Sequence, residues 1–521
     1  MIGSIIHIVR LGRVGFVLMR EGALGLVEID DLPPPARLAV RMGRLIERRN
    51  AGGGAQRLAA ALTRLGPSYV KFGQFLATRP DVVGTRTARD LEHLQDKMPP
   101  FPQEEARRVV ASTLGQPVDA FFTAFGPPIA AASIAQVHRT RLRTPDGEGR
   151  EVAVKVLRPG VREHFNRDLG SMRYAAHFMH RFVPEMRRLR PIEVVETLAR
   201  SVTMEMDLRL EAAALSEIGE NTREDAGFRV PEVIWDQTGR DVMTSEWVDG
   251  IPLSDIAAIE AAGHDRKALA RTVIQSFLQQ ALRDGFFHAD MHPGNLFVDA
   301  QGRLVAVDCG IMGRLGRSER RFLAEILLGF ITRDYMRTAQ VHFDAGYVPA
   351  HHSVADFAQA IRAIGEPIHN RRADEISMAK LLTLLFEVTA LFDMATRTEL
   401  VMLQKTMVVV EGVARKLDPH LDMWGTAESV VRTWIERNLG PVGMLEETGR
   451  GIRDIGGLIG RLPEILNRGE RVLVQLEDAS RGGITLSESS ADSIGRAEAR
   501  GSRGTALALW IIAILLLFHL F

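Results

Sequence analysis

Asp290 and Asn295 in the run HADMHPGN (288–295), followed by Asp308 in the run VAVDCG (305–310), restrict the fold of this 521-residue chain more than any other stretch. The first two lie five residues apart, and the third comes thirteen later, at the end of an apolar, strand-like segment. Two carboxylates and an amide are hard oxygen ligands, the donor set that Mg²⁺ selects. Such an ion serves where negative charge is clustered, as on a polyphosphate. His288 and His292 also permit an HxxxH metal pair on a helix. Pro293 and Gly294 argue against a helix running through that point, and no third ligand is evident.

The upstream half carries matching signals. In REVAVKVLRP, Val152, Val154 and Val156 alternate with Ala153, Lys155 and Leu157, which predicts a strand bearing Lys155. QVHRTRLR and the turn TPDGEG complete a β-hairpin with it. A helical stretch from about Pro191 to Glu220 carries Glu205, Asp207 and Glu211. RVPEVIW, the turn DQTG and RDVMTSEW read as two further strands, and Glu246 to Gly250, including Val248, as a hinge-like connection. Only seven of the 65 basic residues are lysine (71, 97, 155, 267, 380, 405 and 416), so a lysine inside an apolar strand is not a generic surface charge. An edge-strand lysine that blunts pairing is the alternative, and the downstream acids weigh against it. The order of these segments resembles the phosphoryl-transfer core of protein kinases, where a lysine, a helix glutamate, a catalytic-loop aspartate and a metal-binding Asn/Asp pair recur in this sequence.

Three departures narrow the resemblance. No GxGxxG precedes the hairpin; PIAAASIAQVH places Ala130, Ala131, Ala132 and Ser133 there, and their methyl groups limit backbone approach to phosphates. His292 stands where protein kinases carry a lysine, and nothing after Asp308-Cys309-Gly310 reads as a peptide-docking segment. In addition, LGPSYVKFGQFLATRPD (65–81) opens at Gly66-Pro67 and continues as a short helix with Lys71 and Gln74 on one face. Together these segments resemble the UbiB family of atypical kinases. KFGQ matches its KxGQ motif, AAAS its alanine-rich loop, EMD (205–207) its ExD motif and HADMHPGN its catalytic loop, with Met291 where proline is usual and DCG in place of DFG. EGVARKLDP (411–419) also resembles a family segment, and the likeness spans roughly residues 30–440.

The resemblance implies an ATP- or ADP-binding, Mg²⁺-dependent site. Lys155 pairs with Glu211 and touches the phosphates, and Asn295 and Asp308 ligate the metal. Asp290 is the catalytic-loop carboxylate. Lys71, paired with Glu205, fills the cleft where a peptide would otherwise bind. Ala130 to Ser133, Glu246 and Val248 complete the nucleotide pocket.

A net charge of zero gives no electrostatic case for nucleic acid. The single Cys309 excludes intramolecular disulfides and fits a reducing compartment. TALALWIIAILLLFHLF (505–521) reads as a short spanning helix, since seventeen helical residues cover about 26 Å of a roughly 30 Å hydrocarbon core. Arg496, Arg500 and Arg503 precede it and place the bulk of the protein on the cytoplasmic side of a bacterial inner membrane. Residues 480–504 read as a flexible tether and 441–475 as an amphipathic helix. The first twenty residues, with Arg10, Arg13 and Arg20, either lie in a membrane interface or pack on the body.

The expected fold is therefore α+β, a two-lobed protein-kinase-like fold with an N-terminal helical extension and a C-terminal transmembrane helix. Its segments are an apolar and basic helix (1–30), an extension with the KxGQ motif (31–125), a small lobe (126–250), a helical large lobe (251–440), an amphipathic helix and tether (441–504) and the tail (505–521). The expected function, from the resemblance, is an atypical kinase or ATPase supporting ubiquinone biosynthesis rather than a protein kinase. Its expected partners are membrane lipid, polyprenylated quinone precursors and the biosynthetic enzymes, with a homodimer left open. The alternatives are a component of the 2-polyprenylphenol 6-hydroxylase step, for which no dinucleotide fingerprint or facial-triad cluster is visible, and a pseudokinase scaffold.

Overall fold

The computed structural model describes residues 2–23, 54–77, 91, 98–145, 147–182, 187, 190–368, 387–389, 391–394 and 398–439. Helix α1 (Ile2–Arg20) is followed by α2 (Gly54–Leu65), α3 (Pro67–Ala77), α4 (Gln103–Leu114) and the single turn α5 (Val118–Phe121). Strands β1 (Pro128–Ala131), β2 (Ala135–Thr144) and β3 (Gly147–Leu157) precede α6 (Val161–Phe182), α7 (Pro191–Glu205) and α8 (Leu208–Asn221). Next come β4 (Phe228–Arg229), β5 (Val242–Glu246), β6 (Gly250–Pro252), α9 (Ile256–Ala261) and α10 (Arg266–Gln279), which runs on as one π-helical turn, Gln280–Asp284. The remainder is β7 (Phe286–His288), β8 (Leu296–Asp299), β9 (Leu304–Ala306), β10 (Met312–Arg314), α11 (Arg317–Thr332), α12 (Tyr335–Asp344), α13 (Val354–Gly365), α14 (Thr398–Leu417) and α15 (Met423–Leu439).

The first sheet has the order β1-β2-β3-β5, all antiparallel. Valine alternation builds it: Val152, Val154 and Val156 are fully buried against Ala106, Val110, Phe122 and Phe125. Period-two geometry then sends Lys155 to the opposite face, toward α8. Because β3 is hydrogen-bonded on both sides, the edge-strand reading of Lys155 is excluded.

Two expectations change. The stretch 191–220 is two helices, because Asp207 adopts extended dihedrals (φ −112°, ψ 95°) and its carboxylate accepts from Arg209 N, capping α8. RVPEVIW is not a strand of the first sheet. Pro231 supplies no N–H, and the segment meets β5 only through the isolated Val233–Ser245 bridge and a few loop hydrogen bonds. Phe228–Arg229 pairs instead in parallel with β9, in a second sheet of order β4-β9-β8-β6.

α2 and α3 join α6 and α7 in one apolar cluster that includes Leu62, Tyr69, Val70, Phe165, Leu169, Leu198 and Val202. α1 packs on the body: His7 Nδ1 lies 3.1 Å from Ser171 Oγ, its ring stacks on Tyr174, and Arg64 pairs with Glu21 at 2.6 Å. Its outer side still exposes Ile6, Ile8, Val9 and Phe16.

The large-lobe core joins α10, β7–β9, α11, α14 and α15. There Phe277 meets Phe287 edge-on at 5.8 Å, near Leu403, Val410 and Leu417. The chain divides into two compact units, Met1–Ile435 and Glu436–Phe521; of the second, residues 436–439 are described, as the end of α15. The segments at 441–475, 480–504 and 505–521 lie outside the described residues, among which no helix is long and apolar enough to cross a membrane.

Gly313 on β10 sits opposite Phe287 on β7, where a Cβ would overlap the phenyl ring. Gly313→Ala is expected to destabilise the chain by about 1–3 kcal/mol through overpacking, read as a lower urea midpoint.

Candidate active site

Burial and alternation bring Lys155 to two carboxylates. Its ammonium lies 2.5 Å from Glu211 Oε1 on α8 and 3.4 Å from Asp308 Oδ2 after β9. Burial opposes charge on Lys155, but Asp308 and Glu211 outweigh it and hold the amine protonated. Burial would also raise Asp308. Lys155 and the Gly310 N–H (2.9 Å from Oδ1) instead hold it down at about 2, so it is a carboxylate at neutral pH. Glu211 goes the other way: burial, with Asp308 and Glu205 nearby, raises it to about 6 against the pull of Lys155. Asp308 keeps 44% of its side-chain surface exposed, so this carboxylate faces the open cleft.

The catalytic-loop run is held by its own backbone and by two elements behind it. His288 N donates to Gln280 Oε1 (3.1 Å), a buried side chain aimed by the π-helical turn. The buried imidazole is kept neutral by desolvation, and its Nδ1 accepts from Asp290 N at 3.0 Å. The Thr406 hydroxyl of α14 lies 2.9 Å from the Ala289 carbonyl. Asn295 Nδ2 donates to both the carbonyl and Oδ2 of Asp290 at 3.3 Å, which turns its own amide oxygen away from that carboxylate. Val307 N donates to Asn295 O at 3.0 Å, setting Asn295 beside the strand that leads to Asp308. Asn295 Oδ1 and the Asp308 carboxylate are thus a hard donor pair that fits Mg²⁺. His288 and His292 each use Nδ1 on a backbone N–H, of Asp290 and Gly294 respectively, which leaves the HxxxH reading without support.

Lys71 on α3 pairs with Glu205 at the end of α7 at 2.8 Å, both largely buried. The charge of Glu205 reaches Glu211, so the two ion pairs share one electrostatic neighbourhood. Ala130 and Ala131 end β1, while Ala132 and the buried Ser133 form the turn into β2, with Ala132 N donating to Ala135 O at 2.8 Å. Glu246 ends β5, and its carboxylate is taken by Arg229 at 3.1 Å; Val248 follows, half-buried. Cys309 is buried and its thiol is raised by desolvation, which makes it a packing residue.

Three supporting residues escape sequence reasoning. Arg158 holds the carbonyls of Pro99, Ala132 and Ser133 at 3.0, 3.2 and 3.3 Å and so fixes the alanine turn. Gln280 and Thr406 act from helix interiors, where nothing in the local pattern marks them. The adjacency of Arg158 to the Lys155 strand was the one usable signal.

Residues 93–342 match the ABC1 atypical kinase-like domain and residues 361–422 the UbiB helical domain. The fold and the site define an atypical kinase-like protein. A probable protein kinase UbiB of Marinobacter nauticus is 39% identical over 444 residues, covering 84% of this chain and 80% of that protein. Those of Aeromonas hydrophila and Aeromonas salmonicida are 40% and 41% identical, each over 83% of this chain and 80% of their own length. The chain belongs to the UbiB family. A solved structure, the complex of Rv3197 with erythromycin from Mycobacterium tuberculosis, aligns with TM-score 0.49 at 24% identity, over 76% of this chain and 98% of that one. It is too distant to bear on the chemistry.

In Lys155→Met the cation opposing the rise of Glu211 is gone, so Glu211 titrates above 6. Its folded pKa then stands further above the unfolded value, and the stability it contributes is present at low pH and lost as pH rises through the folded value. The variant is expected to lose on the order of 2 kcal/mol more than wild type between about pH 5 and pH 8, measured as urea midpoints.

Proposed function

We propose that this protein is a Mg²⁺-dependent, nucleotide-binding atypical kinase or ATPase that serves ubiquinone biosynthesis at a membrane. The observation that carries the reading is the Lys155–Glu211–Asp308 cluster, whose ammonium faces a cleft carboxylate that is ionised at neutral pH. In this reading Lys155, held by Glu211, contacts nucleotide phosphates. Asn295 and Asp308 hold Mg²⁺, which when bound neutralises charge on the phosphates. Asp290 sits beside Asn295 to accept the proton of an attacking hydroxyl or water. Arg158 keeps the alanine turn in place over the nucleotide.

A small or lipid-like acceptor, or water, is favoured over a protein for two reasons. Only residues 311–316 separate Gly310 from α11, and Met312–Arg314 among them pair back onto β7, which leaves no length for a peptide-docking loop. The Lys71–Glu205 pair also adds a second buried charge couple beside the cleft. The relatives' shared name, probable protein kinase, is consistent with phosphoryl transfer but names a protein acceptor, against which the two observations above weigh. The apolar run at 505–521 with Arg496, Arg500 and Arg503 supports a tail anchor, and the exposed Ile6, Ile8, Val9 and Phe16 of α1 add an apolar surface near Arg13 and Arg20. Coupling of hydrolysis to extraction of polyprenylated precursors for soluble enzymes is part of this proposal, supported by the apolar tail and by Lys71 beside the cleft; ATPase rates that ignore both vesicles and precursor-like phenols would remove it.

The test is complementation of a bacterial strain lacking its own relative, with ubiquinone quantified. Wild type is expected to restore it and Asp308→Asn to fail, while a chain ending at Gly504 reports on the anchor. Asp290→Asn is expected to cut turnover at least about a hundredfold. If Asp290→Asn complements fully while Asp308→Asn does not, a nucleotide-binding scaffold replaces the enzyme. If wild type is well expressed and ubiquinone stays absent, the pathway assignment fails.

A further inference from the structure

Far along the chain from the cleft, three metal-ligating side chains converge. His351 and His352 lie in the turn between α12 and α13, and Asp393 follows the buried Phe392. His352 Nε2 is 3.3 Å and His351 Nε2 3.8 Å from the same oxygen, Asp393 Oδ2, and one ligand atom from each residue falls within 4.8 Å of the others. A hydrogen bond explains one of these approaches. At 3.8 Å the second imidazole is beyond hydrogen-bond range, yet it points its Nε2 at the same oxygen. Around a tetrahedral ion with Zn–N and Zn–O bonds of about 2.0–2.1 Å, ligand atoms stand roughly 3.3 Å apart. The His352 separation matches that spacing and the His351 separation exceeds it by roughly 0.5 Å, a gap that a small side-chain rotation closes.

The supports are packed and capped. The His352 ring packs 5.2 Å from Phe392, which meets Phe357 edge-on at 4.9 Å inside the cluster of Tyr335, Val348 and Ile361. Ser353, next in sequence, caps α13 by accepting from Asp356 N. Asp393 adopts φ 47°, a left-handed conformation that non-glycine residues rarely hold, and this aims its carboxylate back at the histidine turn. The His351 and Asp393 side chains are 66% and 69% exposed, so a fourth position opens to water.

We propose that His351, His352 and Asp393 form a site for one divalent transition ion of the Zn²⁺ type, which ties the α12–α13 turn to the segment around Phe392. Two imidazoles with a single carboxylate select Zn²⁺ over Mg²⁺ or Ca²⁺, which prefer all-oxygen shells. The site is separate from the Asn295/Asp308 pair and does not depend on the nucleotide reading.

The test uses the metal-stripped, full-length chain without nucleotide. Zn²⁺ is titrated in competition with a chromophoric chelator, and Co²⁺ is followed by its visible absorption. One equivalent is expected to bind tightly, with the intense Co²⁺ band of a tetrahedral site. Asp393→Asn keeps a residue type tolerated in the left-handed region, and His351→Gln alters an exposed ring. Each is expected to weaken binding at least about tenfold and to remove the Co²⁺ band, with metal-free melting unchanged. Absence of stoichiometric binding in wild type, or equal affinity in wild type and both variants, as for an ion held at Asn295 and Asp308, overturns the proposal.

Discussion

A single ammonium between two carboxylates organises this molecule. Lys155 on the middle of the first sheet meets Glu211 from α8 and Asp308 from the segment after β9, so one charge ties the sheet, the helix behind it and the large lobe together. Removing charges from water costs several kcal/mol per ion unless geometry and further hydrogen bonds repay it. Here Asp308 retains access to the cleft and a Gly310 N–H, and Glu211 is pushed up to about 6. Such an arrangement is weak as a stability device. It is well suited to presenting a fixed cation and a fixed carboxylate to a polyanion.

The rest of the fold keeps that geometry in register. The π-helical turn aims Gln280 at His288, and α14 places Thr406 against the Ala289 carbonyl. The UbiB helical domain thereby touches the back of the loop that carries Asp290. On the other side Arg158 clamps the alanine turn, so its carbonyls are occupied before any nucleotide arrives. The helix carrying Lys71 and its neighbour α2 are packed into the same apolar cluster as α6 and α7. The family-specific extension is thus part of the body that surrounds the site.

Much of this was legible in the sequence because the information is local. Asp290, Asn295 and Asp308 lie on one short stretch, and valine alternation around Lys155 states both its strand and its face. The break at Met206–Asp207 was hidden, since the helical periodicity runs unbroken through it and only the cap geometry of Asp207 interrupts it. RVPEVIW has the composition of a strand, but Pro231 cannot donate to a ladder, and toward β5 the segment forms one isolated bridge and a few loop hydrogen bonds rather than a ladder. The ion pair of the Glu246 carboxylate was not readable, because its partner Arg229 lies seventeen residues away in sequence. A two-histidine, one-carboxylate group was not visible in sequence, because His352 and Asp393 are 41 residues apart and meet only through the Phe357–Phe392 packing.

In the proposed function the charged cluster holds a metal–nucleotide pair. Fluorescent-nucleotide binding to the full-length chain, titrated with and without Mg²⁺ in wild type and Asp308→Asn, tests it most directly. Tight binding that needs Mg²⁺ in wild type, with the Mg²⁺-dependent part absent in Asp308→Asn, is the expected result. Equal affinities in both proteins, indifferent to Mg²⁺, would contradict it.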